Sequence, residues 1–126
     1  MAGELILIIE DNEKNRKLAR DVLQVKGYQT IESETAEEGL ILALEKSPAL
    51  ILMDIQLPGI DGITALKQLR AEPKTQSIPV IAITASAMTH NRQTMLAEGF
   101  DGYQTKPFSL KDFLGEVERV LAAARS

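Results

Sequence analysis

Four places in this chain join an apolar run to a residue that can do chemistry. Leu5 to Ile9 runs into Glu10-Asp11, Leu50 to Met53 into Asp54, Pro79 to Ile83 into Thr84, and Phe100 to Thr105 into Lys106. As strands of one parallel sheet, these runs deliver three carboxylates, a hydroxyl and an ammonium group to a single edge, where such sheets bind ligands. Three carboxylates in one small site repel. A pair about 5 Å apart costs roughly 3 kcal/mol at an effective dielectric near 20. A hard divalent cation with oxygen ligands offsets that cost. Mg2+ suits the task, because it takes one or two carboxylates, keeps several waters and accepts phosphate oxygens. A carboxylate oxygen left over can act as a nucleophile toward a phosphoryl group. Lys106 then supplies a charge for one phosphate oxygen, the Thr84 hydroxyl donates to another, and the small Ala85 leaves access open. Taken singly, Glu10-Asp11-Asn12 reads as a solvated loop, Thr84 as a strand residue and Lys106 as a surface lysine. It is the set that makes a site.

The elements that must position this chemistry follow from apolar periodicity. Leu5 to Ile9 reads as a buried first strand. Leu18, Ala19, Val22 and Leu23 fall at helical spacing between Asn15 and Lys26, and Gly27 fits the residue past that helix. Tyr28 to Ile31 is a short second strand. Thr35-Ala-Glu-Glu38 has the form of a capping box, and the helix it opens runs to Pro48. The third strand is Leu50 to Met53, followed by Pro-Gly and Asp-Gly turn signals and a helical stripe at Ile63, Leu66 and Leu69. Pro79 to Thr84 is a fourth strand. Met88 to Glu98 is a weaker helix ended by Gly99. Phe100 to Thr105 is a looser fifth strand. Leu110, Phe113, Leu114, Val117, Val120 and Leu121 make the clearest amphipathic helix, with Ser109 as its N-cap. Near-continuous apolar strands alternating with helices call for an α/β, doubly wound five-stranded parallel sheet with five helices.

Composition bounds the rest. The 126 residues suit one domain. With no cysteine, thiol catalysis and thiolate metal sites are excluded. A net charge of −4 argues against nucleic acid as a partner. No apolar run is long enough to cross a membrane, and no secretory leader is legible, so a cytoplasmic chain is expected. His90, the only histidine, lies among polar residues and reads as solvated. Tyr28 reads as packing.

At this point the residues resemble a family. Glu10-Asp11, Met53-Asp54, Leu57-Pro58-Gly59, Thr84-Ala85 and Lys106-Pro107-Phe108 together are similar to the motif set of response regulator receiver domains of the CheY-like, flavodoxin-like type, from Leu5 to Leu121. The resemblance implies strand order 2-1-3-4-5. It implies Asp54 as the phosphoacceptor and Mg2+ as the cofactor, held by Asp11 directly, by Glu10 through a bridging water, by Asp54 and by the backbone carbonyl of Gln56. It makes Thr84 and Lys106 the phosphoryl-binding side chains and Tyr103 an aromatic switch, with a half-buried packing role as its alternative. Pro107 resembles the family's proline after a cis peptide bond. The implied donor is a phosphohistidine on a histidine kinase or histidine phosphotransfer protein. The implied readout is a target protein docking on the face made by the fourth helix, fifth strand and fifth helix. Such a receiver catalyses its own phosphotransfer and slow dephosphorylation and is not otherwise an enzyme.

Details at 10–13, 53–59 and 84–88 look most like DivK-type single-domain regulators and the receivers of hybrid histidine kinases. The expectation is a single receiver domain over 1–126 with no effector domain. The alternatives are a receiver excised from a hybrid kinase and a pseudo-receiver that binds without phosphorylation. A haloacid-dehalogenase-type phosphohydrolase would want an Asp where Gln56 stands. A flavodoxin would meet an acidic first loop that repels the phosphate of its flavin.

Overall fold

Five parallel strands form one sheet: β1 (Leu5–Ile9), β2 (Gln29–Ser33), β3 (Leu50–Asp54), β4 (Val80–Thr84) and β5 (Gly102–Thr105), in the order β2-β1-β3-β4-β5. The helices between and after them are α1 (Glu13–Val25), α2 (Ala36–Lys46), α3 (Gly62–Ala71), α4 (Arg92–Glu98) and α5 (Leu110–Arg125). This is the doubly wound, flavodoxin-like arrangement expected. The coordinates, a computed structural model, describe residues 3–107 and 109–125, so Phe108 of the Lys-Pro-Phe motif lies outside the described residues.

Strand alternation decides which helix packs where. Ile6 and Ile8 of β1, Leu50 and Leu52 of β3, and Ile81 and Ile83 of β4 face α1 and α5, meeting Ala19, Leu23, Phe113, Val117 and Val120. Leu7, Ile9, Ile51, Met53, Val80 and Ala82 point the other way, to Ala36 and Ala43 of α2, Leu66 and Leu69 of α3 and Met95 of α4. Both faces of β1, β3 and β4 are therefore dry, which explains their unbroken apolar runs. Each fully buried Leu or Ile contributes roughly 1.5–3 kcal/mol from burial.

The helix starts are capped by the residues that chain chemistry favours. Asn12, Thr35, Asp61 and Asn91 each accept a backbone N–H from the residue three positions on. The Ser109 hydroxyl does the same for Asp112. Gly39 has a packing reason. A Cβ there would sit 2.4 Å from Ile9 Cδ1, so glycine lets α2 lie close on β1.

Three expectations shift. The second strand is Gln29–Ser33 rather than Tyr28 to Ile31. It is a sheet edge whose polar Thr30 and Glu32 hide the strand pattern, while its register runs on to Ile9↔Ser33. The fourth helix starts at Arg92, not Met88, because Asn91 is the residue whose side chain caps it. The fifth strand begins at Gly102, and Asp101 before it turns its carboxylate to the Val80 N–H at 2.9 Å.

Candidate functional site

The carboxyl ends of β1, β3 and β5 meet at one edge of the sheet. Asp54 is the last residue of β3, paired in register with Ile83 of β4. Its backbone is hemmed in by the start of α3, where a Cβ on Gly62 would lie 2.9 Å from the Asp54 carbonyl oxygen. Glu10 follows β1, and its N–H is fixed to the Ser33 carbonyl at 3.0 Å. Glu10 and Asp54 are each only 4% exposed, whereas Asp11 is exposed. One ligand oxygen from each of Glu10, Asp11 and Asp54 lies within 4.8 Å of the others.

Lys106, just past β5, reaches into this cluster. Its Nζ stands 2.8 Å from Asp54 Oδ2 and 2.6 Å from Glu10 Oε1. The remaining oxygens are also engaged. Asp54 Oδ1 accepts the Gln56 N–H at 2.9 Å, and Glu10 Oε2 accepts the Asn12 N–H at 3.2 Å. The Lys106–Pro107 peptide bond is cis.

One ammonium does not balance three carboxylates, and the titration of Glu10 registers the deficit. Burial first, and the neighbouring Asp54 carboxylate second, push the Glu10 carboxyl up to about 7, against the lowering pull of Lys106. Burial works to lower the Lys106 ammonium as well, but its bonds to Asp54 and Glu10 prevail and hold it above the ordinary lysine value. Such a donor set fits a hard divalent cation, and the acidic cluster could hold one.

Thr84 ends β4, fully buried, with Oγ1 accepting the Ser86 N–H at 3.0 Å. Its hydroxyl proton is left to donate. Tyr103 of β5 is buried rather than half-buried, and its hydroxyl donates to the His90 carbonyl at 2.7 Å. His90 is not simply solvated. It is half-buried, and its Nδ1 is enclosed without a hydrogen-bond partner. Tyr28 packs in the core beside α1, as read from the sequence.

Two charged residues around Tyr103 are not marked as functional by the sequence. Glu116 of α5 is buried, accepts the Tyr103 N–H at 2.7 Å and pairs with Arg92 at 3.3 Å and Arg119 at 3.1 Å. Arg92 of α4 also lies over the Tyr103 ring, 5.4 Å from its centroid. In the sequence both look like ordinary helix-surface charges. The one available signal is that Glu116 adjoins Val117 and sits three residues past Phe113 on the apolar stripe of α5.

Residues 6–118 match the response regulator receiver domain. The chain belongs to the response regulator receiver family. Its role is therefore that of a phosphoacceptor signalling module in two-component systems. The polar-differentiation response regulator DivK of Brucella ovis is 41% identical to this receiver over 119 residues, spanning 94% of this chain and 97% of DivK. The receiver domain of a sensor histidine kinase from Pseudomonas aeruginosa superposes with a TM-score of 0.87 at 30% identity, covering 96% of this chain and 99% of that one. That structure holds a magnesium ion coordinated in its active-site cleft. A CheY-like receiver domain protein from Methanospirillum hungatei superposes with a TM-score of 0.88 at 27% identity, covering 98% of each chain. Partners of such a receiver are, in general, histidine kinases or phosphotransfer proteins. Among the described residues no helix is long and apolar enough to cross a membrane.

Proposed function

We propose that Asp54 accepts the phosphoryl group. The observation that carries this reading is the bridge from Lys106 Nζ to both Asp54 and Glu10 at a strand-end cluster of three carboxylates. Asp54 Oδ1 is held by the Gln56 N–H, so Oδ2, which faces Lys106, is assigned as the nucleophile. In the transfer, Oδ2 bonds to phosphorus as the donor's phosphorus–nitrogen bond breaks, and the histidine imidazole leaves. Lys106 is then placed to shift from the carboxylate to a phosphoryl oxygen, and Thr84 to donate to another. Positioning and charge neutralisation supply most of the catalysis in phosphoryl transfer.

Glu10, Asp11, Asp54 and the Gln56 carbonyl are the residues proposed to hold Mg2+. When bound, the ion supplies neutralisation of the charge on the transferring oxygens. Apart from this self-directed transfer and slow loss of the phosphoryl group, no catalytic activity is proposed.

The same reading makes Thr84 and Tyr103 the switch. A charged group on Asp54 draws the Thr84 hydroxyl toward it, and Tyr103 follows, trading its bond to the His90 carbonyl for a new position. The α4–β5–α5 face then changes shape for a downstream protein. A groove of about 610 Å3 on that face, lined in part by Arg92, Tyr103, Gln104, Lys111, Gly115 and Arg119, supports this part of the reading.

The test is intact mass after incubation with acetyl phosphate, with Mg2+ or with a chelator, on wild type and on Asp54→Asn. Gain of one phosphoryl group that needs both Mg2+ and Asp54 is expected. Equal gain by Asp54→Asn would move the acceptor elsewhere.

A further inference from the structure

Arg16 lies on the second turn of α1, yet its side chain is only 13% exposed. Its Nη1 donates to the Glu10 backbone carbonyl at 2.9 Å, and its Nε stands 3.3 Å from Glu32 Oε1 on β2. A looser contact of 3.7 Å reaches Glu34. The guanidinium therefore ties the end of β1, where the acidic pair begins, to the end of β2.

The consequences for Glu10 are specific. Both of its backbone groups are held from outside the loop, the N–H by Ser33 and the carbonyl by Arg16. Its carboxylate is fixed in turn by Asn12 and Lys106. Asp11, between Glu10 and Asn12, is exposed, so its placement depends on a loop whose anchor is Arg16.

We propose that Arg16 is a positioning residue for the cation site: it fixes the backbone from which Glu10 and Asp11 project. The inference rests on the reading of that site as a Mg2+ site. Charge and geometry predict opposite outcomes here, which makes the idea decidable. Arg16 holds a positive charge against the Glu10 backbone, so as a mere charge its loss should tighten cation binding. As a positioning group its loss should weaken binding, since groups that orient metal ligands are typically worth tenfold or more in affinity. A lysine keeps the charge but has one nitrogen, not a planar fork, for two acceptors on different strands.

Mg2+ titration by calorimetry on wild type, Arg16→Met and Arg16→Lys tests this. Affinity is expected to fall about tenfold in Arg16→Met and several-fold in Arg16→Lys. Unchanged or tighter binding in Arg16→Met, or wild-type binding in Arg16→Lys, would overturn the proposal. Amide hydrogen exchange without metal separates this claim from the Mg2+ reading. Exchange at Glu10 and Asn12 is expected to quicken at least about fivefold in both variants, with Ile81 in β4 unchanged. Exchange no faster at Glu10 and Asn12 than in wild type would overturn the positioning role, even if wild type itself took up no Mg2+ and the metal reading failed.

Discussion

Two glutamates of this receiver are buried beside cations, and they titrate in opposite directions. Glu10 shares Lys106 with Asp54 and is pushed up to about 7. At Glu116 burial also pulls upward, but bonds from Arg119 and the Tyr103 N–H, with the Arg92 charge, hold it below the usual carboxylate value. Burial is common to both, so the difference lies in the partners. Around Glu116 two guanidiniums and a backbone donor serve one carboxylate. Around Glu10 one ammonium serves a cluster of three. The first arrangement is complete and holds α4, β5 and α5 together. The second carries surplus negative charge, an arrangement that clusters at functional sites.

The comparison breaks most visibly if either carboxylate is removed. Glu116→Ala is expected to cost about 3 kcal/mol in urea denaturation, because it strands a buried N–H and unpairs two guanidiniums. Glu10→Gln should do the reverse and stabilise the metal-free protein by roughly 1–2 kcal/mol at pH 8, by removing first a buried charge and second its repulsion with Asp54. If Glu10→Gln destabilises as Glu116→Ala does, the contrast is wrong.

A pH scan of the metal-free protein sharpens the same contrast. Glu10 has a folded value near 7, above its ordinary 4.5. The folded state therefore binds the extra proton between those values, and the stability it contributes is full below about 4.5 and is lost as pH rises through 7. Glu116 is depressed, so its contribution is present above the ordinary carboxylate range and is lost as pH falls. Thermal melts should drop by a few degrees between pH 5 and pH 8 in wild type and stay flat in Glu10→Gln. A smaller effect is expected from Tyr103→Phe, which loses the bond to the His90 carbonyl and about 1 kcal/mol by denaturant titration.

What the sequence made legible follows the same division. Strands buried on both faces, such as Leu5–Ile9 and Leu50–Asp54, announce themselves as apolar runs, and the strand-end chemistry of Asp54 and Lys106 is readable because each sits where such a run stops. The Thr35 cap needs only local geometry. The bounds of edge strand β2, unlike its presence, are hidden in the sequence because one of its sides is polar. The start of α4 was misjudged because polar residues flank the true cap, Asn91. Arg16, Arg92 and Glu116 are illegible for a different reason. Each looks like one more charge on a helix, and its role exists only once another strand has been brought beside it.

The surplus charge around Glu10 is the centre of the account, and proton release on Mg2+ binding reports it most directly. The measurement is Mg2+ titration at pH 7 in buffers of different ionisation enthalpy. A carboxyl raised to about 7 should give up a measurable fraction of a proton per ion bound at that pH, and Glu10→Gln should release none. Mg2+ uptake by wild type with no proton released at pH 7 would contradict it.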